Sequence, residues 1–154
     1  MSAAVGASQL RIRRMGEVDL DEVYEVERSA YDYPWSRGIF EDCLRVPYEC
    51  EVLEENGRIV GYTVMSLAAG EAHLLNLCLA PDVHGRGLGR LLLDHVVGVA
   101  ESRGANVIFL EVRPSNQRAV QLYLRAGFRR LGVRPDYYRA SVGREDALVL
   151  ARRF

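Results

Sequence analysis

Lysine is missing from this chain; all 20 basic residues are arginine. That excludes Schiff-base chemistry on a lysine amine and a P-loop, whose signature requires Gly-Lys-Ser/Thr. Cysteine is scarce: Cys43, Cys50 and Cys78 form neither a zinc spacing nor a paired framework. Free thiols fit a reducing compartment. His73, His84 and His95 have no metal-ligand spacing either, so no metal is expected. No apolar run approaches the ~20 residues of a membrane helix. The opening MSAAVGAS lacks the basic and apolar regions of a secretion signal. An excess of either charge is absent too. The 20 basic residues face 21 acidic ones, for a net charge of -1. A protein that binds nucleic acid by neutralising phosphates is usually strongly basic. These absences lead to an expectation of a cytoplasmic protein with no nucleic-acid and no membrane partner.

What is present reads as globular. The 154 residues are 49% apolar and 27% charged, enough for one domain with a sizeable core. Residues 1–8 read as a flexible tail and 9–154 as one domain. Leu10 and Ile12 alternate with polar neighbours as in a first strand. Asp19 and Glu22 mark a helix start, and Ser36 caps a second helix that Pro47 ends. Asn56-Gly57 lies between two β-rich stretches, a hairpin signal. Residues 72–80 read as a buried strand, Leu88 to Ala100 as a strong helix, 107–112 as a strand and 116–126 as a helix. Two final strands surround Ser141-Val142-Gly143. The expected order is β-α-α-β-β-β-α-β-α-β-β, an α/β (α+β) domain on one mixed sheet.

The most informative segment is Pro81 to Arg90, between the buried strand and the strong helix. Gly85, Gly87 and Gly89 let backbone approach a ligand, and a helix start offers unpaired N–H groups to an anion. Arg86 and Arg90 add charge. This is the physics of a pyrophosphate cradle, against the plainer reading of a glycine-rich turn. A dinucleotide fingerprint fails, because Leu92 stands where its third glycine belongs.

His84-Gly85-Arg86-Gly87-Leu88-Gly89 resembles the acyl-CoA loop of the GNAT N-acetyltransferases, with His84 where Gln or Arg is usual. The resemblance extends over about residues 9–152. It includes Pro34-Trp35-Ser36, Glu71-Ala72 with Asn76, Leu110 to Arg113, Ser115-Asn116, Leu122-Tyr123, Gly127-Phe128, Tyr137-Tyr138 and Gly143 to Ala147. Within the family these segments are similar to the branch that acetylates the N-terminal alanine of small-subunit ribosomal protein eighteen. The resemblance implies a GNAT fold of about seven strands and four helices, splayed between the fourth and fifth strands. It also implies acetyl-CoA as co-substrate and a protein N-terminal peptide as partner.

By that resemblance Glu111 is the general base and Tyr123 the acid for the leaving thiolate. A carboxylate within Phe109-Leu110-Glu111-Val112 is costly unless used or paired, and partial burial is expected to raise its pKa. The plainer readings are a Glu111 paired with Arg113 or another arginine, and a Tyr123 that is only core. Asn116 is both a helix cap and, in the family, a CoA contact. Leu77, Cys78 and Leu79 are implied to offer main chain to the pantetheine arm, with Gly85 to Arg90 holding the pyrophosphate. Cys78 as a nucleophile lacks a histidine partner nearby in sequence. Tyr33, Pro34, Trp35, Glu71, Asn76, Tyr137 and Tyr138 are implied to line the acceptor groove. Adjacent tyrosines on a strand point to opposite faces, so at most one of the pair is expected to line a given pocket. Acetylation of lysine side chains or a small amine, or a CoA-binding module without turnover, stay open as alternatives.

Overall fold

The computed structural model describes residues 9–154; the tail expected at 1–8 lies outside them. The element order is the expected one: β1 (Leu10–Arg14), α1 (Leu20–Ala30), α2 (Arg37–Arg45), β2 (Glu49–Glu55), β3 (Arg58–Ala68), β4 (Glu71–Leu79), α3 (Leu88–Ser102), β5 (Val107–Val112), α4 (Gln117–Arg125), β6 (Arg129–Arg139) and β7 (Arg144–Arg153). Local chemistry sets most boundaries. The Ser36 hydroxyl accepts from Ile39 N at 3.2 Å and starts α2. Asn56 and Gly57 both take positive φ, 53° and 84°, as a two-residue hairpin between right-twisted strands requires. One boundary differs from the expectation. A 3₁₀ turn at Glu17–Asp19 precedes α1, and the Asp19 carboxylate accepts from Gly16 N and Arg13 instead of capping the helix.

The seven strands form one sheet in the order β1-β2-β3-β4-β5-β7-β6. Only β4 and β5 are parallel, because α3 carries the chain back across the sheet between them. Their pairing is brief: Glu71 with Val107, Ala72 with Ile108 and His73 with Phe109. Beyond His73 the two strands separate, although β4 runs on to Leu79 and β5 to Val112. This is the expected splay.

A bulge at Leu75 adds to it. Val64 pairs with Asn76 but Met65 with Leu74, so the side-chain alternation of β4 flips at that point. Ala72 and Leu74 join the core under α3 and α4. Asn76 turns to the opposite face and reaches Glu27 of α1. The register also fixes the main chain. Ala80 N donates to Val60 O, so with a two-residue period the main-chain groups of Cys78 face β3 and those of Leu77 and Leu79 face the gap.

Gly61 on β3 holds the sheet tight here. A Cβ at that position would lie 2.8 Å from the Cys78 carbonyl oxygen and 2.7 Å from Leu79 Cδ1. Gly61→Ala is expected to destabilise the fold by about 1–3 kcal/mol, the usual range for overpacking. Thermal unfolding would show this as a lower midpoint. An unchanged midpoint would mean that β3 and β4 can part at no cost.

Candidate active site

Phe109 and Glu111 alternate with Ile108, Leu110 and Val112, which belong to the core under α3 and α4. Glu111 therefore stands on the face shared with α1 and the loop after it, two residues beyond the last β4–β5 pair. His73 comes from β4 on the same side. Its ring stacks on Phe109 at 4.3 Å and 17°, and its Nε2 lies 2.6 Å from Glu111 Oε1. The second oxygen, Oε2, is buried and accepts no hydrogen bond among the described residues. Arg134 Nε of β6 lies 3.3 Å from it without hydrogen-bond alignment, on a side chain that is 54% exposed. Burial is the largest influence on this carboxyl and pushes its pKa up. The hydrogen bond and charge of His73, with Arg134, outweigh it and hold the group below the ordinary glutamate value. The expected rise is thus reversed, because burial came with partners. Those partners are not Arg113, whose guanidinium goes to Glu145.

Tyr123 is the one buried residue of α4 and packs edge-on against Phe128. It sits in the core under α3 and α4. Burial raises its pKa, with Cys78 adding to the rise, so the phenol stays protonated. Tyr123 senses Cys78 electrostatically, and Tyr31 and Tyr138 sense Tyr123. Cys78 lies on the same face of the sheet as its cross-strand neighbour Tyr62. Cys78 itself is buried and its thiol is pushed up to about 12, chiefly by desolvation. A neutral thiol is no nucleophile.

The glycine loop runs from a 3₁₀ turn at Pro81–Val83 into α3. Gly85 and Gly87 both have φ of 81°, and a Cβ on either would meet nothing within 4 Å. Backbone conformation requires these glycines, and the space beside them is open. Gly89 differs: its Cβ position is 3.4 Å from Leu122, so it serves close packing of α3 on α4. Leu88 is core. The first N–H groups of α3 have no partner within the helix, and a pyrophosphate fits donors of that kind. Arg86 makes a bidentate pair with Glu55 and Arg90 bonds Asp94 at 2.9 Å, so neither points freely at the loop. His84 donates to Leu79 O at 3.0 Å, tying loop to strand. Asn116 caps α4 through Ala119 N.

Tyrosine and arginine form a rim near Glu111. Arg113 lies over Tyr138 at 4.4 Å and over Tyr33 at 5.7 Å, and Arg139 over Tyr33 at 5.3 Å. Tyr137 and Tyr138 touch edge-on at 4.8 Å, although strand alternation would part them. The reason is the irregular register between Arg134 and Tyr138, with Asp136 at φ 51°. Both tyrosines sense the Glu111 charge. The Gly143 to Ala147 segment builds this corner. Arg144 donates to Asp136 O and Tyr137 O, Asp146 accepts from Asp136 N, and Glu145 holds Ser115 and Arg113. Pro34 sits half-buried in the same loop as Tyr33. Trp35 turns into the core against Phe40 at 5.3 Å. Asn76 is held by Glu27 at 2.9 Å. Glu71 lies apart, at the closed end of the β4–β5 pair, lining a shallow hollow with Arg103 and Ala105.

The acetyltransferase (GNAT) family pattern matches residues 18–128. This chain belongs to that family. The ribosomal protein bS18-alanine N-acetyltransferase of Escherichia coli K12 is 36% identical to this GNAT chain over 140 residues, covering 91% of it and 95% of the relative. The enzyme of the same name from Haemophilus influenzae is 35% identical, covering 91% and 96%. Among solved structures, the E. coli ribosomal-protein-S18-alanine N-acetyltransferase superposes with a TM-score of 0.89 at 34% identity, covering 94% of each chain. Ard1 from Thermoplasma volcanium gives 0.86 at 25%, covering 94% and 97%. The splayed sheet and its covering helices are therefore the GNAT fold, and this GNAT chain is an acyltransferase of a family that uses acetyl-CoA.

Proposed function

We propose that this enzyme transfers the acetyl group of acetyl-CoA to the α-amine of a protein N-terminus, with the N-terminal alanine of ribosomal protein bS18 as the favoured acceptor. Acetyl-CoA supplies the activated thioester. Leu77 and Leu79 offer main-chain N–H groups at the gap edge of β4, and the amides from Gly85 to Arg90 receive an anion at the start of α3. Asn116 keeps α4 in register. Glu111 Oε2 takes the proton of the acceptor amine. The acceptor ammonium replaces the Arg134 guanidinium against that oxygen, one cation for another. Tyr123 holds a proton at its hydroxyl for the departing sulfur. Tyr33, Pro34, Tyr137 and Tyr138 wall the approach, while Trp35 and Asn76 support it from behind.

The observation that carries the reading is Glu111 Oε2, buried where β4 and β5 part and without a hydrogen bond among the described residues, on a carboxylate that His73 and Arg134 hold below the ordinary glutamate value. An α-amine loses its proton near pH 7.7–8.0 and a lysine side chain near 10.4. Neutralising lysine is therefore about 3–4 kcal/mol harder at neutral pH, and a carboxylate held below its ordinary value suits the easier amine. The similarity to the bS18 enzymes along nine-tenths of the chain supports the acceptor. The test is mass-resolved acetylation of a peptide beginning Ala-Arg-Tyr-Phe with a lysine further along, beside the same peptide with its α-amine blocked. Acetylation of the free N-terminus alone is expected. Acetylation of the blocked peptide would move the acceptor to lysine.

A further inference from the structure

His73 is the unexpected group at this site. It stands at the point where β4 and β5 part, its ring is fixed by stacking on Phe109, and its Nε2 meets Glu111 Oε1 at 2.6 Å. Glu111 is ionised at neutral pH, and an ionised carboxylate only accepts hydrogen bonds, so Nε2 must be the donor. That occupies one oxygen of the base and leaves the other, Oε2, without a hydrogen bond. We propose that His73 is a positioning residue for the base: its Nε2–H clamps Glu111 Oε1, so that Oε2 is the single atom left to take the acceptor's proton. The proposal rests on the acetyl-transfer reading for its chemistry but not for its geometry.

The clamp also acts on ionisation. The groups facing Glu111 are His73 from β4 and Arg134, Tyr137 and Tyr138 from β6; its cross-strand neighbour on β7 is Val149. Arg134 is half exposed and yields to an incoming cation, so its share is lost when the acceptor binds. His73 is fixed and stays. Without it, burial acts on the carboxyl with less opposition, and Glu111 takes up its proton at a higher pH. A carboxyl protonated in the free enzyme is no base.

Two readouts test this with His73→Met, which fills the space without a donor, and His73→Gln, which restores an N–H near the same place. The first is the titration of the Glu111 side-chain carboxyl followed by ¹³C NMR in the ligand-free protein, with Glu111→Gln to assign the signal. His73→Met is expected to move that titration to higher pH, and His73→Gln to return it towards wild type. The second is the pH dependence of kcat/KM for the Ala-Arg-Tyr-Phe peptide, which reports free enzyme and free substrate. Between pH 5 and 7 the wild type is expected to be flat, because the reacting pair is an ammonium peptide and an ionised Glu111 throughout. His73→Met is expected to fall towards acid within that window, with a slope approaching one, as Glu111 takes up its proton at a higher pH. A Glu111 titration that stays in place in a folded His73→Met variant overturns the proposal. A titration that moves as expected in His73→Met, beside a wild-type protein that acetylates no peptide, overturns the functional reading and leaves the clamp standing.

Discussion

Glu111→Gln is expected to lower kcat/KM for an N-terminal alanine peptide by about 10²–10⁴-fold, the usual worth of a positioned general base. The substitution preserves shape, so the fold and the loop after β4 should hold acetyl-CoA with little change. The side chain can still accept from His73 at one end. At the other it presents an N–H₂ where Oε2 stood, beside the Arg134 guanidinium 3.3 Å away, and nothing there can take a proton. The loss should fall on kcat more than on KM for acetyl-CoA, which steady-state kinetics separates. A Gln variant within tenfold of wild type would mean that another group takes the proton. Stability gives an independent check. Partners lower the folded-state pKa of this carboxyl, so its ionised form contributes stability above the ordinary glutamate range. That contribution disappears as the pH falls through the folded-state value. The difference in unfolding free energy between wild type and Glu111→Gln should therefore close in acid and be full at neutral pH.

Much of this site was legible before the fold was known, and the parts that were not share one cause. Element order followed from local signals such as Asn56-Gly57 and the Ser36 cap. Glu111, Tyr123 and the glycine loop stood out by motif. What escaped sequence reasoning depends on contacts across the sheet. His73 is 38 residues from Glu111 and meets it only through the brief parallel pairing of β4 with β5. A histidine two residues after a strand start gives no sign of that. The direction of the Glu111 shift was misjudged for the same reason, since burial was visible in the apolar run and the partners were not. Arg86 read as a phosphate ligand because Glu55, 31 residues earlier, could not be seen as its partner. Tyr137 and Tyr138 were separated by an alternation rule that the irregular register at Asp136 breaks. The Gly143 to Ala147 segment could be quoted as a motif, but its work in building that corner needs the hairpin itself.

Glu27 is the other residue whose importance only the assembled fold reveals. From sequence it is one more position on an amphipathic helix. In the structure it is 2% exposed, with no cation among its hydrogen-bond donors. The Tyr62 hydroxyl and Asn76 Nδ2 donate to Oε1, and Trp35 N donates to Oε2 at 2.8 Å. These three donors come from β3, from β4 just past its bulge, and from the loop that carries Tyr33 and Pro34. One buried carboxyl group thus ties the loop that carries Tyr33 and Pro34 to the strand that borders the gap. Glu27→Ala leaves a cavity and three buried donors without an acceptor, at about 1–3 kcal/mol for each unsatisfied group before relaxation. A total loss of roughly 3–5 kcal/mol is expected, from the unsatisfied donors together with the cavity. For a domain of this size that lowers the unfolding midpoint by about 10 °C or more. Glu27→Gln keeps the shape but replaces one acceptor oxygen with a donor, so it should lose less. Its defect should appear as a raised KM for the peptide, with KM for acetyl-CoA and the Glu111 titration unchanged. The loop holding Tyr33 and Pro34 is then loosened, while the base on β5 is untouched. Equal midpoints for Glu27→Ala and wild type would show that water replaces the carboxyl group at no cost, and the loop would have to be held by the Trp35–Phe40 contact and the arginines over Tyr33.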